Sequence, residues 1–336
     1  MNKLKAGIIG LGVGEKHISA FEDHRNCEVT VLCDFSEQKI KALENKYPNK
    51  IFSLNPYDIL NNPDIDIVSI ASYDNYHFDQ VKKAIENGKH VFVEKPLCLY
   101  WQEAKEIKSL LNNNPNIKLS SNLNLRTCPR FKRARKAVQS GEMGDVFFIE
   151  GDYLWGRIHK LTSGWRKNME FYSIVYGAAV HLIDLIIWIT DMKPIEVQGF
   201  GNKIASSHSD FKYNDFACIL MKFENEMVAK ISANGGCVHT HFHQLNIYGT
   251  NKTFIHNLSG GRWLEPDNAE IRIKDITEEY PAIDKRGLMI TSFVDSILDS
   301  TAKSLIKFDD IISTMSVCFA AEKSIHEGKI VKVEYI

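Results

Sequence analysis

The sequence predicts an α/β protein of two domains: a doubly wound parallel sheet over residues 1–121, and an α+β domain over residues 122–336 with a large, mostly antiparallel open sheet. Three observations carry that prediction. Short apolar, β-branched runs alternate with helix-length amphipathic segments up to Ser121, the rhythm of a parallel sheet. The first run ends in Gly10-Leu11-Gly12-Val13-Gly14, a turn that lets backbone N–H groups approach an anion. From Gly144 the runs lengthen and alternate apolar with polar residues, as antiparallel strands with one solvated face do.

Composition bounds the function. With 336 residues, 44% of them hydrophobic and 25% charged, the chain can bury more than one core. A formal net charge of −1 argues against a nucleic-acid partner. Seven cysteines without framework spacing read as reduced thiols of a cytoplasmic protein. Met1-Asn2-Lys3 leads straight into the first strand and leaves no room for a signal segment. The most apolar helix, Val180 to Ile189, holds His181 and Asp184 and is too short to span a bilayer, so no membrane association is expected.

Taken in order, Leu4 to Ile9 is the first strand and a helix begins near Glu15. The spacing departs from G-x-G-x-x-G, because Gly14 comes one residue early. Glu28 to Cys33 is the second strand, and Asp34 follows it about 20 residues beyond the glycines, where a ribose-binding acid is expected. An acid there favours NAD and repels the 2′-phosphate of NADP; the competing role is to cap the helix starting near Ser36. Asn55-Pro56 opens a short helix, and Ile65 to Ala71 is the next strand. It ends in the polar loop Ser72-Tyr73-Asp74-Asn75-Tyr76-His77, with Asn75 expected to cap a helix running to Asn87 and His77 in its first turn.

His90 to Val93 is a buried strand that delivers Glu94-Lys95-Pro96 to its carboxyl end. Ligands bind at that edge of open α/β sheets, so Lys95 is placed to meet a reacting group. A helix over Trp101 to Asn113 and a strand over Ile117 to Ser121 complete the first domain.

A polar, proline-bearing stretch from Asn122 to Pro129 marks the boundary, and a basic helix over Arg130 to Gln139 follows. About six strands are expected at Val146–Tyr153, Ile195–Ile204, Phe216–Phe223, Met227–Ala233, Phe242–Tyr248 and Thr253–Asn257. His181 and Asp184 share one face of an apolar helix, either satisfied in the core or facing a cleft. Tyr153, Trp155, Arg157, Trp165, Arg166 and Tyr172 form an aromatic and arginine-rich set suited to a sugar face and to a phosphate or carboxylate. Cys237, His239, His241 and His243 share parity and so one strand face, as zinc ligands or as a polar sheet face. Histidines on one extended strand wrap a tetrahedral metal poorly, so no metal site is assigned. Helices near Leu288–Ser300 and Phe308–His326 and a strand at Ile330–Tyr335 close the chain.

Together these features resemble the Gfo/Idh/MocA family of oxidoreductases: the Gly10–Gly14 turn, Asp34, the Ser72–His77 loop, Gly88-Lys89-His90-Val91 with Glu94-Lys95-Pro96, Asn124-Leu125-Arg126, and the His181/Asp184 helix. The resemblance implies an N-terminal Rossmann domain that binds NAD, less readily NADP, through Gly10, Gly12, Val13, Gly14, Asp34, Ser72, Asn75, His77, Glu94 and Lys95. It implies Lys95 and His181 as the catalytic pair and Arg126, Tyr153, Trp165, Arg166, Tyr172 and Asp184 as substrate residues. The substrate would be a small carbohydrate, a nucleotide-activated sugar by likeness to members in bacterial surface-polysaccharide pathways. A free-sugar or inositol dehydrogenase and a non-catalytic dinucleotide sensor are the alternatives, and the C-terminal sheet would build a homodimer or homotetramer. The chain departs from the family at Gly177, where many members carry an aspartate four residues before the histidine; the loss leaves three readings open, altered chemistry, a different relay partner such as Tyr172, or an inactive relative.

Overall fold

The computed structural model describes residues 3–336, which fall into two units; Met1 and Asn2 lie outside the described residues. The first unit reaches Asn124 and also takes in Asp284–Ile312, while the second holds Leu125–Ile283 and Ser313–Tyr335.

In the first unit, β1 (Leu4–Ile9), α1 (Glu15–Glu22), β2 (Cys27–Cys33), α2 (Glu37–Glu44), β3 (Ile51–Ser53), α3 (Tyr57–Leu60), β4 (Ile67–Ile70), α4 (His77–Glu86), β5 (His90–Val93), α5 (Trp101–Asn113) and β6 (Leu119–Ser121) follow in turn. All six strands are parallel, in the order β3-β2-β1-β4-β5-β6. Every residue of β4 is buried, the mark of a strand covered on both faces. The order reverses between β1 and β4, and the carboxyl ends around that point carry the glycine turn, Ser72 and Lys95. β3 was not expected: it is three residues long and half exposed, so it carries no apolar run.

The second unit follows with α6 (Pro129–Gln139), β7 (Val146–Leu154), α7 (His159–Thr162), α8 (Val180–Thr190), β8 (Pro194–Asn202), β9 (Phe216–Phe223), β10 (Val228–Asn234), β11 (Phe242–Gly249), β12 (Thr253–Asn257), β13 (Gly260–Asp267) and β14 (Glu270–Ile276). Then come α9 (Leu288–Leu298) in the first unit, α10 (Phe308–Glu327), and β15 (Val331–Lys332) back in the second. Nine strands form one sheet in the order β14-β13-β12-β11-β7-β10-β9-β8-β15, antiparallel throughout except for β7 beside β10. Inward residues such as Ile149, Ile219 and Ile231 are fully buried, and α6 packs on α8 within the unit.

Two differences from the sequence reading have clear causes. The β13–β14 hairpin was not expected, because β14 is exposed along almost its whole length and shows no buried face. Asp284–Ile312 belongs with the first unit, not with residues 122–336, because α9 packs against α1 and β5. Phe293 meets Phe92 at 5.8 Å, and the Ser120 hydroxyl donates to the Ile306 carbonyl at 3.0 Å. The sequence shows that α9 has an apolar face but not which sheet receives it.

Candidate active site

The glycine turn in the first unit is built by close approach. Gly10 has φ +89°, where L side chains are strained, and a Cβ there would run into the Ala71 carbonyl. A Cβ on Gly14 would strike the Gly10 carbonyl oxygen, which is why the third glycine comes early and α1 starts so near β1. Gly12, at the crest, meets nothing within 4 Å, and Val13 beside it is 52% exposed. Open space over a turn of backbone N–H groups fits a pyrophosphate.

Asp34 lies at the end of β2 and is 3% exposed. Its Oδ2 accepts from the Leu11 N–H at 2.8 Å and from Lys39 Nζ at 2.6 Å, and its Oδ1 from the Ser36 N–H at 3.0 Å. The carboxylate therefore ties the glycine turn to α2, while the cap of α2 is Ser36, whose Oγ accepts from the Lys39 N–H. A carboxylate anchored in this way suits ribose hydroxyls.

At the carboxyl end of β5, Lys95 is half-buried and the Lys95–Pro96 bond is cis. Glu94 beside it accepts at Oε1 from Asn122 Nδ2 at 2.6 Å and faces His17 Nε2 at 3.2 Å. Burial pushes this carboxyl up, but the hydrogen bond and electrostatic attraction of His17, then the hydrogen bond from Asn122 and the charge of Lys95, outweigh it and hold Glu94 below its ordinary value. His17 was missed by sequence reasoning. Its signal was a polar residue on the buried face of α1, next to Ile18 and in phase with Phe21.

The Ser72–His77 loop differs from expectation. Asn75 is exposed inside a 3₁₀ turn (Asp74–Tyr76) and does not cap α4, which begins at His77 itself. His77 is fully buried, with Nδ1 2.6 Å from the Pro96 carbonyl and Nε2 3.2 Å from the Ser72 carbonyl. It braces two loops of the edge against each other, with both ring nitrogens against backbone carbonyls. The Ser72 hydroxyl donates to Gln80 Oε1 at 2.8 Å.

In the second unit, His181 is 7% exposed in the first turn of α8 and lies flat against Tyr153, with ring centroids 5.8 Å apart and planes at 8°. Tyr153 Oη is hydrogen-bonded to His241 Nε2 at 3.0 Å and its ring meets His243 edge-on at 4.7 Å. The Tyr280 hydroxyl lies 2.7 Å from His243 Nδ1. β11 begins at Phe242, so of the same-parity set only His243 is in the strand, and Cys237, His239 and His241 precede it. Among the described residues no three metal-binding side chains converge on a point.

Arg166 stacks its guanidinium on Trp165 at 4.3 Å, Trp155 at 5.3 Å and Tyr172 at 5.8 Å. Tyr172 is 2% exposed, and its hydroxyl fills the space a side chain at Gly177 would need, 2.5 Å from the position of its Cβ. It supports Arg166 from beneath and presents almost no surface to a substrate.

Arg126 and Asp184 depart furthest from the expectation of substrate contact. They bind each other bidentately, Nε to Oδ2 at 3.0 Å and Nη2 to Oδ1 at 2.6 Å, with side chains 3% and 1% exposed. Thr314 donates to the same carboxylate at 3.4 Å. A charge this deep must be paired, and these two pair with each other.

Residues 4–122 match the family model described as an oxidoreductase family with an NAD-binding Rossmann fold, and residues 131–255 match the Gfo/Idh/MocA C-terminal domain. A Bacillus subtilis relative named only as the oxidoreductase YrbE is 23% identical over 320 residues, 93% of this chain and 87% of its own length. Inositol 2-dehydrogenase of Salmonella typhimurium is 24% identical over 199 residues, 58% of this chain and 57% of its own length. Scyllo-inositol dehydrogenase from Lactobacillus casei, solved with NAD(H) and scyllo-inositol, shares the fold at a TM-score of 0.81 and 21% identity, covering 99% of both chains. No helix among the described residues is long and apolar enough to cross a membrane. With both domain models matched in sequence order and the parallel sheet ending in a glycine turn fit for NAD, the chain belongs to the Gfo/Idh/MocA family of NAD-binding oxidoreductases.

Proposed function

We propose that the protein transfers a hydride between NAD and a carbinol or carbonyl carbon of a nucleotide-activated sugar. The supporting observation is Arg166, which lies over three aromatic faces and has no carboxylate partner among the described residues. A guanidinium kept in place by rings and not by a counter-ion suits a phosphate, and the neighbouring tryptophans suit a sugar face. NAD supplies the hydride acceptor or donor. The turn at Gly10–Gly14 would hold the pyrophosphate and Asp34 the adenosine ribose. Lys95 steadies the reacting oxygen, and His181, oriented by its flat contact with Tyr153, exchanges the proton.

The open face of the nine-stranded sheet is read as the surface that joins copies into a dimer or tetramer. Across its centre run Leu220, Lys230, Glu150, Asn246 and Ile255 in direct register, with Phe200 60% exposed at one side.

The relatives named inositol 2-dehydrogenase favour a second reading, a free inositol or sugar as substrate. Arg166→Ala separates the two. With a nucleotide sugar it raises KM by about 10- to 100-fold, the loss of hydrogen bonds to a charged group, and leaves kcat nearly unchanged. Turnover of inositols in preference to nucleotide sugars, untouched by Arg166→Ala, would establish the second reading instead.

A further inference from the structure

We propose that His17 and Asn122 hold Glu94 as a fixed negative charge beside the nicotinamide, and that this charge biases the site toward the oxidised, cationic form of the cofactor. His17 acts through Glu94 and is a positioning residue. The inference rests on the NAD site described above.

In sheets of this strand order the adenosine end of a bound dinucleotide would lie on the β2 side and the nicotinamide end on the β4–β5 side. Asp34 ends β2 and takes the adenosine ribose, and the glycine turn after β1 takes the pyrophosphate. The second nucleoside then lies on the far side of the switch point, over the carboxyl ends of β4 and β5. Glu94 and Lys95 stand at that end of β5.

Four elements contribute to the chain of contacts that ends on the Glu94 carboxylate. His17 comes from the first turn of α1, Ser69 from β4, Glu94 follows β5, and Asn122 follows β6. The His17 ring is 4% exposed, sits edge-on to Phe92 at 5.4 Å, and bridges Ser69 Oγ at 2.9 Å and Glu94 Oε1 at 3.2 Å. A neutral imidazole with its proton on Nε2 satisfies both: the Ser69 hydroxyl donates to Nδ1, and Nε2–H donates to Glu94. Asn122 donates to the same oxygen. An apolar side chain would fill this place in the core as well, so the Ser69–His17–Glu94 chain is built for the carboxylate. Two donors on one buried oxygen favour its ionised state.

The nicotinamide ring carries a positive charge when oxidised and none when reduced. A carboxylate nearby therefore strengthens binding of NAD⁺ relative to NADH, and Lys95 opposes it from the adjacent position. A unit charge within about 10 Å in a partly buried site changes a ligand's affinity by about tenfold.

The test measures Kd for NADH by its fluorescence and Kd for NAD⁺ by displacement, on the full chain, for wild type, Glu94→Gln, His17→Ala and His17→Gln. The ratio Kd(NAD⁺)/Kd(NADH) should rise about tenfold in Glu94→Gln and nearly as much in His17→Ala. It should stay near wild type in His17→Gln, whose amide N–H replaces the donor. Equal weakening of both forms in His17→Ala would assign the ring a packing role only and overturn the proposal. Glu94→Gln preserves shape and the Asn122 neighbour, so an unchanged ratio there overturns it even if His17→Ala does not fold. Wild-type protein that bound neither form would overturn the reading of the cofactor site, and the inference with it.

Discussion

Asp184→Asn tests the reassignment of Arg126 and Asp184 from substrate contacts to a structural pair. The substitution keeps the shape of the side chain and removes its charge, so that a guanidinium 3% exposed faces a neutral amide in place of a carboxylate. Breaking a buried pair from one side costs about 3–5 kcal/mol. The amide oxygen still accepts one of the two hydrogen bonds, so the lower end, about 3 kcal/mol, is expected. Urea unfolding followed by tryptophan fluorescence reads the affected region directly, because Trp155, Trp165, Trp188 and Trp263 all lie in the second unit and Trp188 stacks on Arg126 at 5.8 Å. Arg126→Met alone should cost a similar amount, and Arg126→Met with Asp184→Leu should recover most of the loss, since a buried pair replaced by apolar groups is often close to neutral. A loss below about 1 kcal/mol in Asp184→Asn, with KM as the parameter that moves, would refute this account and return the pair to the substrate site.

Three further outcomes follow from the geometry. Gly10→Ala forces an L residue to φ +89° against the Ala71 carbonyl, so NADH affinity should fall at least about tenfold in a fluorescence titration; unchanged affinity would contradict the tight turn. Asp34→Ala should weaken NADH more than NADPH, because it removes the ribose acceptor and frees Lys39 for a 2′-phosphate; equal losses would contradict the NAD assignment. Burial, with the charge of Arg130, pushes the His256 imidazole down to about 3, so the unfolded chain takes up this proton first as pH falls. Stability contributed above the unfolded value near 6.5 is lost between about pH 6.5 and 3, amounting to about 2 kcal/mol at pH 5. His256→Asn should flatten the slope of unfolding free energy between pH 7 and 5, and an unchanged slope would count against it.

Much of the first unit was legible because its signals are local. A glycine that needs positive φ, an acid after the second strand and a lysine after an apolar strand all depend on neighbours within a few residues. What the sequence could not give were partners chosen at long range. Arg126 and Asp184 each look like substrate residues alone; only their meeting across 58 positions turns them into a core pair. His17 and Glu94 are 77 residues apart, and nothing near either names the other. Cys237 to His243 was misread because parity holds only within a strand, and β11 starts at Phe242. His181 was selected by its position on an apolar helix, but its support, the face of Tyr153, comes from β7. Gly177 stood out as a departure, and its physical counterpart is the Tyr172 hydroxyl that occupies the space.

The measurement closest to the central claim is nicotinamide absorbance of the purified protein with NAD, and in parallel with NADH, against nucleotide sugars, free sugars and inositols, for wild type and Lys95→Ala. The account predicts turnover of nucleotide sugars by wild type, and in Lys95→Ala a loss of kcat by about 10²–10⁴-fold with NADH affinity unchanged. Turnover that survives Lys95→Ala, or none with any of the three classes despite NADH binding, would contradict it.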